Sequence, residues 1–320
     1  MTNPPVPPAD IAPGMENFRA GIVAVVGRAN VGKSSLINAI LGEKISIVSP
    51  VVQTTRHPVR GIWNDPRGQV VLLDTPGSHA APTDIGKLMN RAARQCAEGA
   101  DDVLLVLDAH APPSIEDEGW MRRLARSRKD QGWMIALNKT DAGREGESAL
   151  RKIWETIAAE FQLPGDAVTW WPVSATTGEG LSALCDEWMK RLPVHPPLFP
   201  PDVLTDFPRR LFIGDIIREK LIPRLHDELP HRVAAVVDEL REEPDGSWTV
   251  DSRILVDRGS QVGIVVGHKG RVLRAVRRAA EAELSAIYEH PVTLNIHVVV
   301  EPNWTRNFFL LKRLGLAGAG

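Results

Sequence analysis

The stretch "GIVAVVGRANVGKSSLINAIL", residues 21 to 41, leaves this chain few ways to fold. A β-branched apolar run suited to a buried strand breaks at Gly27, and a helical pattern opens at Lys33. Between them "GRANVGKS" fits G-x-x-x-x-G-K-[ST], a loop whose backbone N–H groups converge on phosphate oxygens. A preceding strand and a following helix are the context this motif requires, and the helix N-terminus favours an anion. Lys33 supplies a point charge at the β- and γ-phosphates, and the Ser34 hydroxyl is suited to Mg²⁺. The candidate nucleotide-binding residues here are Gly27, Arg28, Ala29, Asn30, Val31, Gly32, Lys33, Ser34 and Ser35.

The same rhythm recurs downstream. "QVVLLDTPG", "DVLLVLDA", "WMIALNKTD" and "TWWPVSA" are apolar runs, each followed by an amphipathic helical pattern. Continuous apolar strands alternating with such helices predict a parallel sheet covered on both faces. The rhythm stops at "RLPVHPPLFPPDVLTDFP", whose prolines sustain neither a helix nor a central strand. Beyond it the pattern predicts helix, strand, strand, helix, strand, a small α+β domain.

With 320 residues, 43% apolar and 24% charged, the chain has the composition of a globular protein with room for two domains. No apolar run approaches the ~20 residues of a membrane span. The Pro-rich start lacks the basic and apolar regions of a signal peptide and reads as a disordered tail. Cys96 and Cys185 form neither a disulfide framework nor a zinc pattern, so a reducing, cytoplasmic setting is expected. A net charge of −2 requires any polyanion binding to come from a local patch.

Three further strand ends carry chemistry. "DTPG" offers Asp74 to Mg²⁺ and the Gly77 N–H to a γ-phosphate. "NKTD" offers the Asp141 carboxylate to guanine's N1–H and 2-amino groups, which adenine cannot match. In that motif Lys139 can lay its stem along the base and Asn138 can tie loops together. "SAT" places Ser174 and Ala175 where the Ala175 N–H can meet guanine O6.

Four motifs in this order resemble a GTPase. "GRANVGKSSLINAILGEKISIVSPVVQTTRHPVRG" and "REKLIPRLHDELP" resemble the Era family, bacterial GTPases with a C-terminal KH domain. The likeness runs from about Gly21 to the end. It implies a P-loop GTPase domain of mostly parallel sheet with helices on both faces, then a smaller α+β type II KH domain. The divisions expected are a tail at 1–18, the GTPase domain at 19–191, a linker at 192–208 and the KH domain at 209–320. GTP, GDP and Mg²⁺ are the implied ligands. The "QTTR" segment lies in a switch of that family, with Thr55, or failing it Thr54, on the metal beside Ser34 and Asp74. Lys33, Thr55 and Gly77 are then the residues expected to carry catalysis. Asn30 either helps bind K⁺ or simply tolerates an unusual loop conformation.

Two departures stand out. Ser78 replaces an apolar residue general in that family, and neither it nor His79 supplies the Gln that orients water elsewhere, so slow intrinsic turnover is expected. Val262 stands where relatives often carry Lys.

"IVVGHKGRVL" gives the KH reading its site. A KH module clamps nucleotides against a Gly-x-x-Gly loop. Gly267 and Gly270 would let a sugar-phosphate backbone approach, with His268, Lys269, Arg271 and Arg274 turned to phosphates and the apolar run before them as a wall for bases. The resemblance implies a target near the 3′ end of small-subunit ribosomal RNA, during assembly of that subunit, by a monomer. It also extends to peripheral association with the inner face of the cell membrane. The end, "NFFLLKRLGL", permits that, although docking on the KH core is the expectation for it. Competing readings are a signalling GTPase whose C-terminal domain binds protein or membrane, and an RNA-modifying enzyme gated by GTP.

Overall fold

The computed structural model describes residues 16–49, 55–77, 84–127 and 133–316. The tail over 1–15 and the positions Gln53, Thr54, Ser78 and His79 lie outside the described residues. Two compact units are present.

The first comprises residues up to Glu43, Pro58–His79 and Asn90–Asp206. Its strands are β1 (Arg19–Val26), β2 (Val59–Asp65), β3 (Gly68–Asp74), β4 (Asp102–Asp108), β5 (Trp133–Asn138) and β6 (Val168–Pro172), in the sheet order β2-β3-β1-β4-β5-β6. Every pairing is parallel except β2 with β3. Strand β2 is a hairpin partner that the sequence pattern did not announce. All residues of β4 and β5 are buried, as a parallel strand covered on both faces requires. Helices α1 (Lys33–Leu41), α3 (Ile115–Ser127), α4 (Glu147–Glu160) and α5 (Leu181–Arg191) alternate with the strands, and α2 (Asp84–Glu98) crosses the boundary of the unit. Trp120 and Leu124 of α3 and Leu150 and Trp154 of α4 pack on Leu105, Leu107, Ile135 and Leu137. Each such side chain contributes about 1.5–3 kcal/mol by leaving water.

The Pro-rich stretch does not hang loose. Gln69 Oε1 accepts from the Leu198 and Phe199 N–H groups, at 2.8 and 2.9 Å, and its Nε2 donates to the Phe199 carbonyl at 2.8 Å. One buried amide thus satisfies backbone that prolines leave without ladder partners.

The second unit comprises Lys44–His57, Ala80–Met89 and Phe207 onward. Its sheet is β7 (Ala234–Glu242), β8 (Trp248–Val256) and β9 (Val292–Val300), with β7 antiparallel and β9 parallel to β8. Period-two alternation splits β7 between two cores. Ala235 and Val237 face Ile213, Ile216 and Ile217 of α6 (Arg209–Leu221) and Val276, Ala280 and Leu284 of α8 (Arg271–Tyr288). Ala234 and Val236 face Trp304, Leu310, Leu311 and Leu314. The short helix α9 (Phe308–Arg313) therefore docks on the sheet, with Phe308 and Phe309 left exposed.

One expectation fails here. The run before the Gly-x-x-Gly turn is helix α7 (Gly259–Val266), so the order is α-β-β-α-α-β-α, with α7 and α9 beyond what the pattern indicated. In so short a β-branched run periodicity does not separate strand from helix. Packing decides: Val265 is buried, Val262 lies against the core, and Ile264 is exposed.

Candidate nucleotide and RNA sites

The phosphate loop starts where β1 ends, and three of its residues take left-handed backbone: Gly27 (φ 146°), Asn30 (φ 64°) and Gly32 (φ 94°). A Cβ on Gly32 would stand 2.3 Å from Asn138 Nδ2, and one on Gly27 would stand 2.4 Å from the Val106 carbonyl oxygen. Glycine is required at both by space as well as by φ. Asn30 takes its positive φ with one of the non-glycine residue types that tolerate it best. Lys33 Nζ turns back onto the loop, donating to the Gly27 and Arg28 carbonyls at 3.1 and 2.9 Å. Burial pushes the Lys33 ammonium down to about 8; Asp74 opposes that, Arg28 adds to it, and Asp117 opposes it again. A buried cation facing a concave backbone has the charge and shape to receive phosphate.

Two expected metal ligands lie together at the same end of the sheet. Ser34 Oγ donates to Asp74 Oδ2 at 2.7 Å, and Asp74 is fully buried at the end of β3. Thr75 Oγ1 donates to the Val25 carbonyl at 2.7 Å, locking the start of "DTPG" to β1. A Cβ on Gly77 would lie 2.6 Å from Ala29 Cα and 2.8 Å from its N. The turn's backbone is thus brought against the phosphate loop, and any side chain would fill the space between. A hydroxyl and a carboxylate in hydrogen-bond contact form a hard oxygen pair that fits Mg²⁺.

Strand β5 delivers the residues expected to read the base. Asn138 Nδ2 donates to the Val31 carbonyl at 2.8 Å, and Asn138 Oδ1 accepts from the Ala175 N–H at 3.1 Å. One buried amide therefore joins the phosphate loop to the "SAT" turn after β6. Ser174 Oγ donates to Asp141 Oδ1 at 2.6 Å and accepts from the Thr176 and Thr177 N–H groups at 3.2 and 3.0 Å. The carboxylate is held by one oxygen. Lys139, at φ 67°, donates to the Asn30 carbonyl at 2.7 Å and to Asp108 Oδ2 at 2.6 Å.

Asp108 was missed in the sequence, where it is one more residue at the end of an apolar run. Burial works to raise its carboxyl, but the Lys139 hydrogen bond and charge, with the Ala111 and His110 N–H donors, hold it below the usual carboxylate range. It fixes the Lys139 stem across the loop. Thr55 lies in the second unit, next to Arg56, whose Nη1 and Nη2 donate to the Val233 and His231 carbonyls at 3.0 and 3.1 Å. Within that unit Lys44 also pairs with Glu219 and Glu283, and the Val48 N–H donates to Glu219 Oε1.

The second turn, between α7 and α8, opens at Gly267 (φ 72°, ψ 167°) and runs through His268 to Gly270, with Lys269 (φ 51°) and Gly270 (φ 75°) in left-handed backbone. The two glycines differ. A Cβ on Gly267 would sit 2.4 Å from Val272 Cγ2, whereas on Gly270 the nearest atom is Arg274 Nε at 3.9 Å. Internal packing explains the first, so close approach of a ligand is not needed to account for it. The second leaves open space. His268, Lys269 and Arg271 are exposed. Arg274 is exposed too, but its Nη2 and Nε donate back to the Lys269 and Gly270 carbonyls at 2.6 and 3.3 Å. It braces the turn.

A family model described as 50S ribosome-binding GTPase matches residues 22–139, and one described as KH domain matches residues 228–305. The GTPase Era of Geotalea uraniireducens is 38% identical over 301 residues, spanning 94% of this chain and 98% of the relative. The chain belongs to the Era GTPase family. The GTPase Era of a Synechocystis strain is 36% identical over 308 residues, spanning 96% of this chain and 95% of that one. Two solved Era structures have the same fold. One, with MgGDPNP and nucleotides 1506–1542 of 16S ribosomal RNA, has a TM-score of 0.84 at 33% identity and covers 94% of this chain and 100% of its own. The other, an Aquifex aeolicus Era variant bound to GDP and AlF4⁻, has a TM-score of 0.83 at 32% identity with the same coverage. This Era-family chain is thus a GTPase with a P-loop domain and a KH domain.

Proposed function

We propose that this chain is a GTP-hydrolysing switch that binds small-subunit ribosomal RNA near its 3′ end and acts in assembly of that subunit. The observation that carries the reading is Asn138. Its amide ties the phosphate loop at Val31 to Ala175, beside an Asp141 carboxylate steadied by Ser174. A triphosphate pocket and a guanine-selective acid are thereby parts of one rigid site. That an Era relative is held on 16S ribosomal RNA supports the choice of RNA.

Ser34, Asp74 and Thr55 would hold magnesium, whose charge offsets that of the phosphates. Lys33 and the N–H groups of Gly27 to Ser35 bind and orient the triphosphate. The Gly77 N–H donates to a γ-phosphate oxygen and loses that contact on hydrolysis. Asp141 and the Ala175 N–H read guanine while Lys139 covers its face. With no Gln after "DTPG" to align water, turnover is slow, as suits a timer. Asn30 would add K⁺; equal rates in KCl and NaCl would remove that part.

The accompanying domain reading is a GTPase domain at 19–191, a linker at 192–208 and a KH domain at 209–320. In the KH domain Gly267, His268, Lys269, Gly270, Arg271 and Arg274 form the RNA turn, and Ile264 offers the apolar contact for a base. The chain acts as a monomer, and Phe308 and Phe309 are the side chains that would meet a membrane surface. No helix among the described residues is long and apolar enough to cross a membrane.

Crosslinking and sequencing of RNA bound to GTP-loaded and GDP-loaded protein tests the reading. Enrichment of the 3′ end of small-subunit RNA, lost on replacing His268 and Lys269 with Glu while GTP binding stays, is expected. Unchanged association with the small subunit in that variant would refute the KH assignment.

A further inference from the structure

Helix α3 opens with a reciprocal cap. Ser114 Oγ accepts from the Asp117 N–H at 3.3 Å, and Asp117 Oδ2 accepts from the Ser114 N–H at 3.0 Å and from its Oγ at 3.1 Å. That is a capping box, and it would be reason enough for an acid three residues into the helix. The same oxygen, however, takes one more donor. Arg28 Nε of the phosphate loop reaches it at 2.9 Å, across 89 residues of sequence. The Asp117 side chain is 2% exposed and that of Arg28 21%. Asp117 Oδ1 is buried without a hydrogen-bond partner among the described residues. A cap alone needs neither the burial nor the guanidinium. Leaving one carboxylate oxygen buried and unpaired is costly, and the ion pair is what makes that carboxylate tolerable.

We propose that Asp117 is a positioning residue for nucleotide binding: through Arg28 it fixes the second residue of the phosphate loop, and with it the carbonyls that hold Lys33. This rests on the reading of residues 27–35 as the phosphate site. The chain of contacts is short. Asp117 holds the Arg28 side chain; the Arg28 carbonyl and the Gly27 carbonyl accept from Lys33 Nζ. Asp117 thereby links the start of α3 to the cation that meets the phosphates. Electrostatics runs the same way. Arg28 disfavours the charged form of Lys33, and Asp117 favours it. Removing the carboxylate frees the loop residue and leaves the buried ammonium beside an unneutralised guanidinium.

The test uses the full chain and GDP carrying a fluorescent group. Asp117→Asn keeps an oxygen that can cap α3 but loses the charge; Ser114→Ala loses the capping hydroxyl but keeps the ion pair. Asp117→Asn is expected to weaken GDP binding about tenfold, the size of a lost charged hydrogen bond. Asp117→Glu, which keeps the charge, should recover part of that affinity. Ser114→Ala is expected to lower the melting temperature with GDP affinity within about twofold of the parent. Arg28→Gln should reproduce the Asp117→Asn loss, and the double variant should be no worse than either alone. If Asp117→Asn binds GDP as the parent does, or melts lower and changes nothing else, Asp117 is only a helix cap and the proposal fails. Failure of the parent chain to bind GDP would instead overturn the phosphate-site reading beneath it.

Discussion

Gly267→Ala separates what the fold demands of the second turn from what a ligand demands. Gly267 sits at φ 72° and ψ 167°, backbone that L side chains rarely adopt. Forcing alanine into it costs on the order of 1–3 kcal/mol. The new methyl would also lie 2.4 Å from Val272 Cγ2, 2.9 Å from Val272 Cβ and 3.0 Å from the Val272 N. Rotating the Val272 side chain relieves the first contact only. The others belong to the first turn of α8, which cannot retreat without unseating the buried Val276, Ala280 and Leu284. That overpacking adds about 1–3 kcal/mol. A total of roughly 2–6 kcal/mol lowers the melting of a unit this size by about 8 °C or more. Gly270→Ala meets no atom nearer than 3.9 Å, and its φ of 75° costs about 1–2 kcal/mol. The assay is urea and thermal unfolding followed by the fluorescence of Trp248 and Trp304, both buried in the second unit, alongside RNA binding. Gly270→Ala should lose RNA affinity with modest loss of stability, and Gly267→Ala should lose stability first. Equal stability of the two variants, or a milder effect at Gly267, would refute the packing argument.

Asn138→Ala removes two hydrogen bonds and leaves the Val31 carbonyl and the Ala175 N–H without that partner, so GDP should bind about 100-fold more weakly in a fluorescence titration. Asp141→Asn should exchange guanine for xanthine, because an amide donates to the xanthine 2-carbonyl where the acid accepted from a 2-amino group; hydrolysis of both triphosphates measured side by side decides it. The Lys33 ammonium, lowered by burial from 10.5 to about 8, places an alkaline limb near pH 8 on kcat/KM for GTP, and a profile flat to about pH 10 would contradict it. The sign for stability is opposite: between those two values the unfolded chain holds a proton that the folded one has released, so Lys33's contribution to the ligand-free fold rises with pH.

Much of the candidate nucleotide site was legible because its motifs are local backbone demands. Gly27 and Gly32 answer positive φ and tight approach within the loop itself, and Asp74, Asn138 and Asp141 each end or follow an apolar run that could only be a buried strand. Asp108 and Asp117 were not legible. Each looks like a surface or capping acid until packing brings Lys139 or Arg28 to it from 31 or 89 residues away. Strand β2 was missed because "VRGIWND" has weak alternation, and it is defined by its seven-residue register against β3.

The sequence by itself determined the two glycine-bearing turns, the strand that leads into the first of them and the order of the two domains. These depend on φ, on side-chain chemistry within a few residues, and on runs long enough to show a period. Tertiary structure alone decided that "GSQVGIVV" is a helix, that residues 44–49 and 55–57 belong to the unit that carries the KH fold, and which acid each buried cation meets. Those outcomes are set by which surfaces exclude water together, and no short window of sequence contains both sides of such a contact.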